Sequence, residues 1–392
     1  MRRPHPVVFL ATGLFGLYCI EFGVVGILPA IIERFQVTAQ RAGLLVGLFA
    51  LVVAAFGPLL VLWASRWRRK PVLVASLWLF AGVSALSAYA DSFGALLGLR
   101  MVAALFHPVY FSLAMVAAAA LYPPRQATRA GAHALVGTSM GMVLGIPATT
   151  WVAAQFSYQA SFLFCAAANA VAALGVMACL PPAPAAAAPP YGRQLAILRK
   201  PALWLGIAAS VSIFAAMFSL YAYAAQYLGR EAGMDGRMTG ATLLVFGVGG
   251  VLGNLAAGRL LGAHAARTVL LHPLALAAAY LLLHFYAGQA TPAGMAALAL
   301  FWGAAHTSGL IVTQVWLTAE AREAPEFGIG VYISAINLGV TLGALAGGWS
   351  IGRFGMAGAI WSGLLCAALA LASIAAKLLL YGAPRRRETA LA

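Results

Sequence analysis

The sequence predicts an all-α membrane protein of twelve transmembrane helices in two pseudo-symmetric six-helix bundles. Three observations carry this. Sixty-three per cent of the 392 residues are hydrophobic and the mean hydropathy is +0.92. Apolar runs of roughly 20 residues, long enough to cross a hydrocarbon core, recur from end to end. A single Pro/Ala-rich break, at 181–201, separates two stretches of matching pattern.

The expected spans are 7–31, 42–64, 71–90, 93–121, 130–155, 159–180, 202–228, 238–262, 268–287, 292–318, 328–352 and 355–381. Their number is even, so both termini lie on one side. Between-span Lys and Arg residues divide 18 to 5, with Arg2, Arg3, Arg66, Arg68, Arg69, Lys70 and the 385–387 arginines on the richer side. Positive residues collect in cytoplasmic loops, so both termini are expected in the cytoplasm of a bacterial inner membrane. The same reading accounts for the net charge of +15 without a nucleic-acid partner, because the basic residues form short clusters between spans.

Met1-Arg2-Arg3 before an apolar run resembles the start of a secretory leader, but the run exceeds the roughly 7–15 residues of a leader core, so it is read as a span. Cys19, Cys165, Cys179 and Cys366 all fall inside spans without metal-like spacing and are expected to pack as small apolar residues. No metal or cofactor is expected.

The predicted organisation is a six-helix bundle over 1–180, a cytoplasmic linker over 181–201, a second bundle over 202–381 and a basic tail over 382–392. Proline-rich sequence opposes a continuous helix across the linker. The halves echo one another. Gly57 matches Gly253, His107 matches His306, and Gly137/Gly141/Gly145 match Gly339/Gly343/Gly347, at offsets of 196, 199 and 202 residues. Parallel repeats of this kind are a transporter design with substrate bound between halves near the midplane. Small residues every fourth position also serve simply to let helices approach closely.

Several motifs resemble the major facilitator superfamily, and within it the twelve-span bacterial drug/proton antiporter group that contains arabinose and purine efflux permeases. Glu21-Phe22-Gly23 through Gly26-Ile27-Leu28-Pro29 is similar to that group's first-span pattern. Gly57-Pro58-Leu59 with Arg66, Arg69 and Lys70 resembles the superfamily's loop signature, and Arg100 falls where the family keeps a fourth-span arginine. Gly145-Ile146-Pro147 resembles the antiporter motif, Tyr221-Ala222-Tyr223 the seventh-span aromatics, and Asn337 with Gly339, Gly343, Gly347 and Gly348 the eleventh-span pattern. The chain departs at Ser65, where the loop signature has aspartate, at its second-half counterpart Gly262, at Ser157-Tyr158-Gln159 for Gly-Trp-Arg, and at Gln226 for a proline. The resemblance implies alternating access between two bundles, with Gly57, Arg66, Arg69, Gly141, Gly145, Pro147, Gly253, Gly339, Gly343 and Gly347 as gating and packing residues.

Glu21 is the foremost candidate. A carboxylate inside an apolar span is costly and marks a proton or substrate pathway by default. Glu21 and Arg100 lie roughly 10–14 Å inside the outer boundary of their spans, so they meet if spans 1 and 4 are neighbours, and the resemblance implies that they are. Glu21 is then expected to carry the proton, with Arg100 tuning it and competing with substrate. A static ion pair that fixes helix packing is the alternative. His107 and His306, at matching depths, are candidates for substrate binding or proton transfer. Ser219, Tyr223 and Gln226 follow helical spacing and, with Tyr221, suggest a cavity-facing stripe. Gln314 and Asn337 add amides suited to a planar or amphipathic solute.

The expected function is a secondary active transporter, a proton-coupled antiporter exporting a small organic solute of the drug, purine/nucleoside or sugar class. The expected partners are that solute, protons and the bilayer, with the chain a monomer. No phosphate loop for ATP drive and no enzymic nucleophile motif is present. A proton-coupled uptake symporter and a non-transporting membrane receptor are the alternatives.

Overall fold

A computed structural model describes residues 5–37, 39–122, 127–182 and 190–382. Among them there are helices and turns and no strand. The first half contains α1 (Pro6–Gly26), α2 (Leu28–Phe35), α3 (Ala39–Ala64), α4 (Arg69–Ala88), α5 (Phe93–Ala120), α6 (Ala127–Gln155) and α7 (Tyr158–Cys179). The short α8 (Tyr191–Leu195) and a 3-10 turn (Ala196–Arg199) follow. The second half contains α9 (Pro201–Tyr221), α10 (Ala224–Glu231), α11 (Gly236–Tyr286), α12 (Pro292–Thr307), α13 (Gly309–Thr318), α14 (Pro325–Phe354) and α15 (Ala357–Tyr381). Ten of the described helical stretches are long and apolar enough to cross a membrane; one of them, Met238–Gln289, holds two spans, and the 29-residue α6 supplies the twelfth.

Five expected spans differ in detail. Span 1 breaks at Ile27, which leaves helical geometry at φ −113° and ψ 8°. Pro29 follows in the first turn of α2, where its missing N–H costs no hydrogen bond. Span 7 breaks at Tyr223 (φ −117°, ψ 14°), whose hydroxyl donates to the Ala344 carbonyl of α14 at 2.9 Å. Spans 8 and 9 run on as α11, bent at His264 (φ −143°, ψ 65°). Span 10 divides at Ser308 into α12 and α13. The first helix of each half therefore breaks near the same place, Ile27 and Tyr223.

The glycine repeats set how each half packs. A methyl group at Gly137 would collide with the Ala11 carbonyl, and one at Gly141 with the Tyr18 Cβ; Gly145 lies over the Cys19 main chain. Gly339, Gly343 and Gly347 meet the carbonyls of Val211, Ala215 and Ser219 in the same manner. α6 therefore lies against α1 through residues 11, 15 and 19, and α14 against α9 through 211, 215 and 219, each 200 further on. Gly253 lies against the Ala304 main chain. Pro147 lies in α6, and its side chain is outside the described set, as are residues 183–189 of the linker and the tail beyond 382. Exposed Trp63, Trp67, Trp151, Trp349 and Trp361 stand near helix ends, where amphipathic rings suit the membrane interface.

The halves meet at the end of the bundle that carries the basic loops. Arg69, at the start of α4, donates through Nε to Glu326 Oε1 of α14 at 2.6 Å, and the Ser112 hydroxyl of α5 donates to the Glu326 carbonyl at 2.6 Å. Gly330 lies on Val61, and Gly57 faces Ser334 and Pro108. In the linker, where no continuous helix is expected, the short α8 lies against the loop signature. Arg66 covers the Tyr191 ring at 3.5 Å, and the Gln194 amide donates to the Ser65 hydroxyl at 3.2 Å. Lys200 binds Glu323 at 2.8 Å, and the buried Lys377 binds Glu320 at 3.1 Å with its ammonium over the Trp316 ring.

Candidate functional site

α1 places Glu21 less than two turns before its break, with the side chain buried against α5. Its carboxylate Oε2 lies 3.0 Å from His107 Nε2, and the imidazole is fully buried. Tyr18, Phe49 and Phe111 wall the imidazole at ring-centroid distances of 5.7, 5.9 and 6.5 Å. Buried in this shell, the carboxylate takes its side-chain contact from His107 Nε2.

Arg100 sits beside this pair but serves the main chain. Its Nε donates to the Leu45 carbonyl at 2.9 Å, Nη1 to Ile20 at 2.8 Å and Nη2 to Glu21 at 3.2 Å. The expected meeting of Arg100 with Glu21 is thus made at the Glu21 carbonyl, while the carboxylate takes His107. Charge-assisted bonds of this sort are among the stronger neutral-acceptor contacts, so Arg100 clamps α1 just before its break and fixes where the carboxylate points. On its other side the guanidinium lines a cavity of about 20 Å³ with Ser84, Thr149, Ser161 and Cys165, a volume that accommodates one water.

The second half holds the counterpart. His306, near the end of α12, is 1% exposed and is surrounded by Tyr221, Phe246 and Phe218 at 4.6, 5.3 and 5.7 Å. Neither ring nitrogen has a hydrogen-bond partner. Position for position, Tyr221 stands 200 residues after Glu21, Phe218 200 after Tyr18, and His306 199 after His107. One half carries an acid–imidazole pair and the other a phenol–imidazole pair on the same frame. A ladder of rings joins them: His107 to Tyr18, Tyr18 to Phe22 at 5.9 Å, Phe22 across to Phe218 at 6.1 Å, and Phe218 to His306.

The stripe expected from Ser219, Tyr223 and Gln226 does not form, because α9 ends between them. The Ser219 hydroxyl turns back to the Ala216 carbonyl beside Gly363, Tyr223 bonds α14, and Gln226 is exposed. Gln314 and Asn337 are buried on α13 and α14, each with its side-chain carbonyl unpartnered. Tyr18, Phe22, Phe218, Phe246 and Glu326 are not among the site residues expected from the sequence, although Phe22 falls in the first-span motif. The 200-residue offset that relates Tyr18 to Phe218 was a signal able to find the first and third.

The profile of the Major Facilitator Superfamily matches residues 10–324. The chain belongs to that superfamily. Among its curated relatives, the inner membrane transport protein YdhP of Escherichia coli K12 is 31% identical over 348 residues, 89% of either chain. The chloramphenicol resistance protein of Streptomyces lividans is 29% identical over 375 residues, 94% of this chain and 95% of that one. Two solved structures share the fold: the E. coli fucose:proton symporter FucP, with a TM-score of 0.72 at 16% identity, and the human organic anion transporter MFSD10, with 0.71 at 18%. Each alignment covers 95% of this chain and 98% of the other. The protein is therefore a membrane transporter of the Major Facilitator Superfamily, and its Glu21–His107 and Tyr221–His306 pairs lie on equivalent elements of the two halves.

Proposed function

We propose that the protein is a proton-coupled antiporter that exports a small organic solute across a bacterial inner membrane. The observation that carries this reading is the buried Glu21–His107 pair, two protonatable groups in direct contact on α1 and α5 and one ring from the inter-half stack. When the site opens outward, protons load the pair; when it opens inward, they leave. Arg100 keeps the carboxylate in register by holding the carbonyls around it.

The basic loops orient the carrier with both termini in the cytoplasm. The moving bodies are the bundles at 1–180 and 202–381, working as a monomer, joined by the linker at 181–201 and followed by the tail at 382–392. The Arg69–Glu326 contact then closes the cytoplasmic end. Export is favoured over uptake by one relative: the chloramphenicol resistance protein of Streptomyces lividans is similar over nearly the whole chain, and a membrane carrier that confers resistance would do so by moving drug outward.

The test is transport of radiolabelled chloramphenicol and a panel of purines and sugars in oriented proteoliposomes under an imposed pH gradient. Solute moves against proton flow in the native protein. Glu21→Gln abolishes gradient-driven accumulation and leaves solute exchange, now independent of pH. Unchanged accumulation in a folded Glu21→Gln protein would sink the role given to this residue, and solute moving with the protons would replace antiport by symport.

A further inference from the structure

The rings between the two histidines suggest what kind of solute the site receives. We propose that a flat, uncharged, conjugated solute enters between Phe22 and Phe218 and sets a hydrogen-bonding edge against His306. This deepens the antiport reading and rests on it.

Phe22 and Phe218 come from different halves and are 7% and 4% exposed. Their centroids are 6.1 Å apart and their planes 25° from parallel. A ring held between two others needs roughly 7–8 Å between the outer pair, two contact distances of about 3.5–4 Å. The centroid distance is the upper bound on the present spacing of the two planes, so a parting of the halves by at least about one or two ångströms makes that gap, and rocking of the halves separates this stack. The resting stack covers the apolar faces that the solute would otherwise occupy.

His306 supplies the second, independent observation. An imidazole offers a donor and an acceptor, and leaving both without partners in an apolar shell is costly. Both His306 nitrogens are in that condition, whereas His272, nearby on α11, lies 2.9 Å from the Ala305 carbonyl through Nε2. A solute edge that presents an acceptor beside a donor, as in an amide or a lactam, satisfies His306.

The third consideration is charge. The rings about His306 are Phe218, Tyr221 and Phe246, with Trp302 behind Phe246 at 4.7 Å. None is ionised, and Tyr221 stands where the other half has Glu21. An anion desolvated here would find no opposite charge in contact, and a cation drawn to the ring faces would still leave the His306 acceptor and donor unpaired, so a neutral edge that pairs both suits the cage best. The proton is thus taken by the first half, while the solute lies between the halves and sets its hydrogen-bonding edge on the second.

The experiment is equilibrium binding to the purified full chain of two probes with the same carboxamide edge, 2-naphthamide and its saturated decahydro counterpart. The saturated ring system is the more hydrophobic of the two, so simple partitioning favours it; a stacking slot reverses the order. The native protein is expected to bind the flat probe about tenfold more tightly, as two ring stacks imply. Phe22→Leu or Phe218→Leu brings the ratio towards one, Phe218→Tyr keeps it, and His306→Leu weakens both probes together. Native protein that binds the saturated probe equally well or better overturns the inference without reference to any variant, as do leucine variants with an undiminished ratio. Either result leaves gradient-driven transport and its dependence on Glu21 intact, whereas loss of coupled transport with the flat-probe preference retained refutes antiport alone.

Discussion

Removing Arg69 should open the basic end of the transporter more than removing its partner Glu326. The pair bridges the halves at 2.6 Å, with Arg69's side chain 26% exposed and Glu326's 10%. In Glu326→Gln, the arginine is left behind and regains water through its open quarter. In Arg69→Gln, the carboxylate is left in the more buried position, with only the N-terminus of α14 to favour it. Exposed pairs contribute about 0–1 kcal/mol, and breaking a fully buried one costs about 3–5 kcal/mol. For this intermediate case about 1 kcal/mol is expected for Glu326→Gln and about 2 kcal/mol for Arg69→Gln. At about 1.4 kcal/mol per tenfold, these shift the closed-to-open ratio at this end by about fivefold and thirtyfold. Spin labels at the exposed Trp67 and Leu260 positions, one on each half, read the shift as a population moving to longer distance. The double variant should fall near Arg69→Gln alone or below it, because the stranded carboxylate is gone. Distance distributions unchanged in Arg69→Gln, or a larger effect from Glu326→Gln, would refute the assignment of this pair as the closing contact.

Two further outcomes follow from packing and charge. Gly343→Leu drives a side chain into the Ala215 main chain and should cost at least about 1–3 kcal/mol, seen as a lowered thermal midpoint, while Gly82→Ala, where no atom lies within reach, leaves the midpoint unchanged. The hydrogen bond from Lys200 holds Glu323 below its ordinary value near 4.5, so its contribution is complete above that value and disappears as pH falls through the lowered one; both groups are well exposed, and the contribution is a few tenths of a kcal/mol. Melting of the native protein and Glu323→Gln should therefore differ slightly at pH 7 and converge as pH falls through that lowered value.

Much of the fold was legible because spans in lipid must satisfy their backbone internally and so announce themselves as apolar helical runs. The glycine repeats were equally open to reading, since their spacing states which helix face is small. Which groups meet was harder. Glu21 and Arg100 were paired by depth, on a first span thought to end at 31. In the structure the chain continues as α2 to Phe35. Glu21 is then fourteen residues from that end, and His107 is fourteen from the start of α5, so equal depth belongs to Glu21 and His107. Arg100, seven residues into α5, uses its length to reach the main chain instead. The break at Tyr223 had a similar effect on Ser219 and Gln226, because helical spacing carries no meaning across a residue outside helical geometry. Glu326 was passed over because an acid at a helix start reads as an ordinary favourable terminus, and its partner lies 257 residues away.

Under the proposed antiport, the internal repeat gives a reason why one half would take the proton. Two copies of a six-helix unit place residues 21 and 107 in one half where 221 and 306 stand in the other, and the packing frames at 11/15/19 and 211/215/219 show that the match is spatial. If both copies kept the acid, two buried carboxylates would lie a few rings apart along one pathway, and like charges at that range raise the cost of ionising either. With tyrosine at 221, the proposed proton exchange changes the charge of the Glu21 site alone, and the Tyr221 position stays uncharged toward the proposed solute in either state. The ring ladder from His107 to His306 lets the solute's presence be felt at Glu21 through contact alone, because a body between Phe22 and Phe218 displaces the ring against which Tyr18, and behind it His107, is packed. Exchanging the two residues tests this division: Glu21→Tyr with Tyr221→Glu, in a protein that still folds, should move the proton dependence to the second half and weaken uncharged planar solutes, while either single change loses coupled transport.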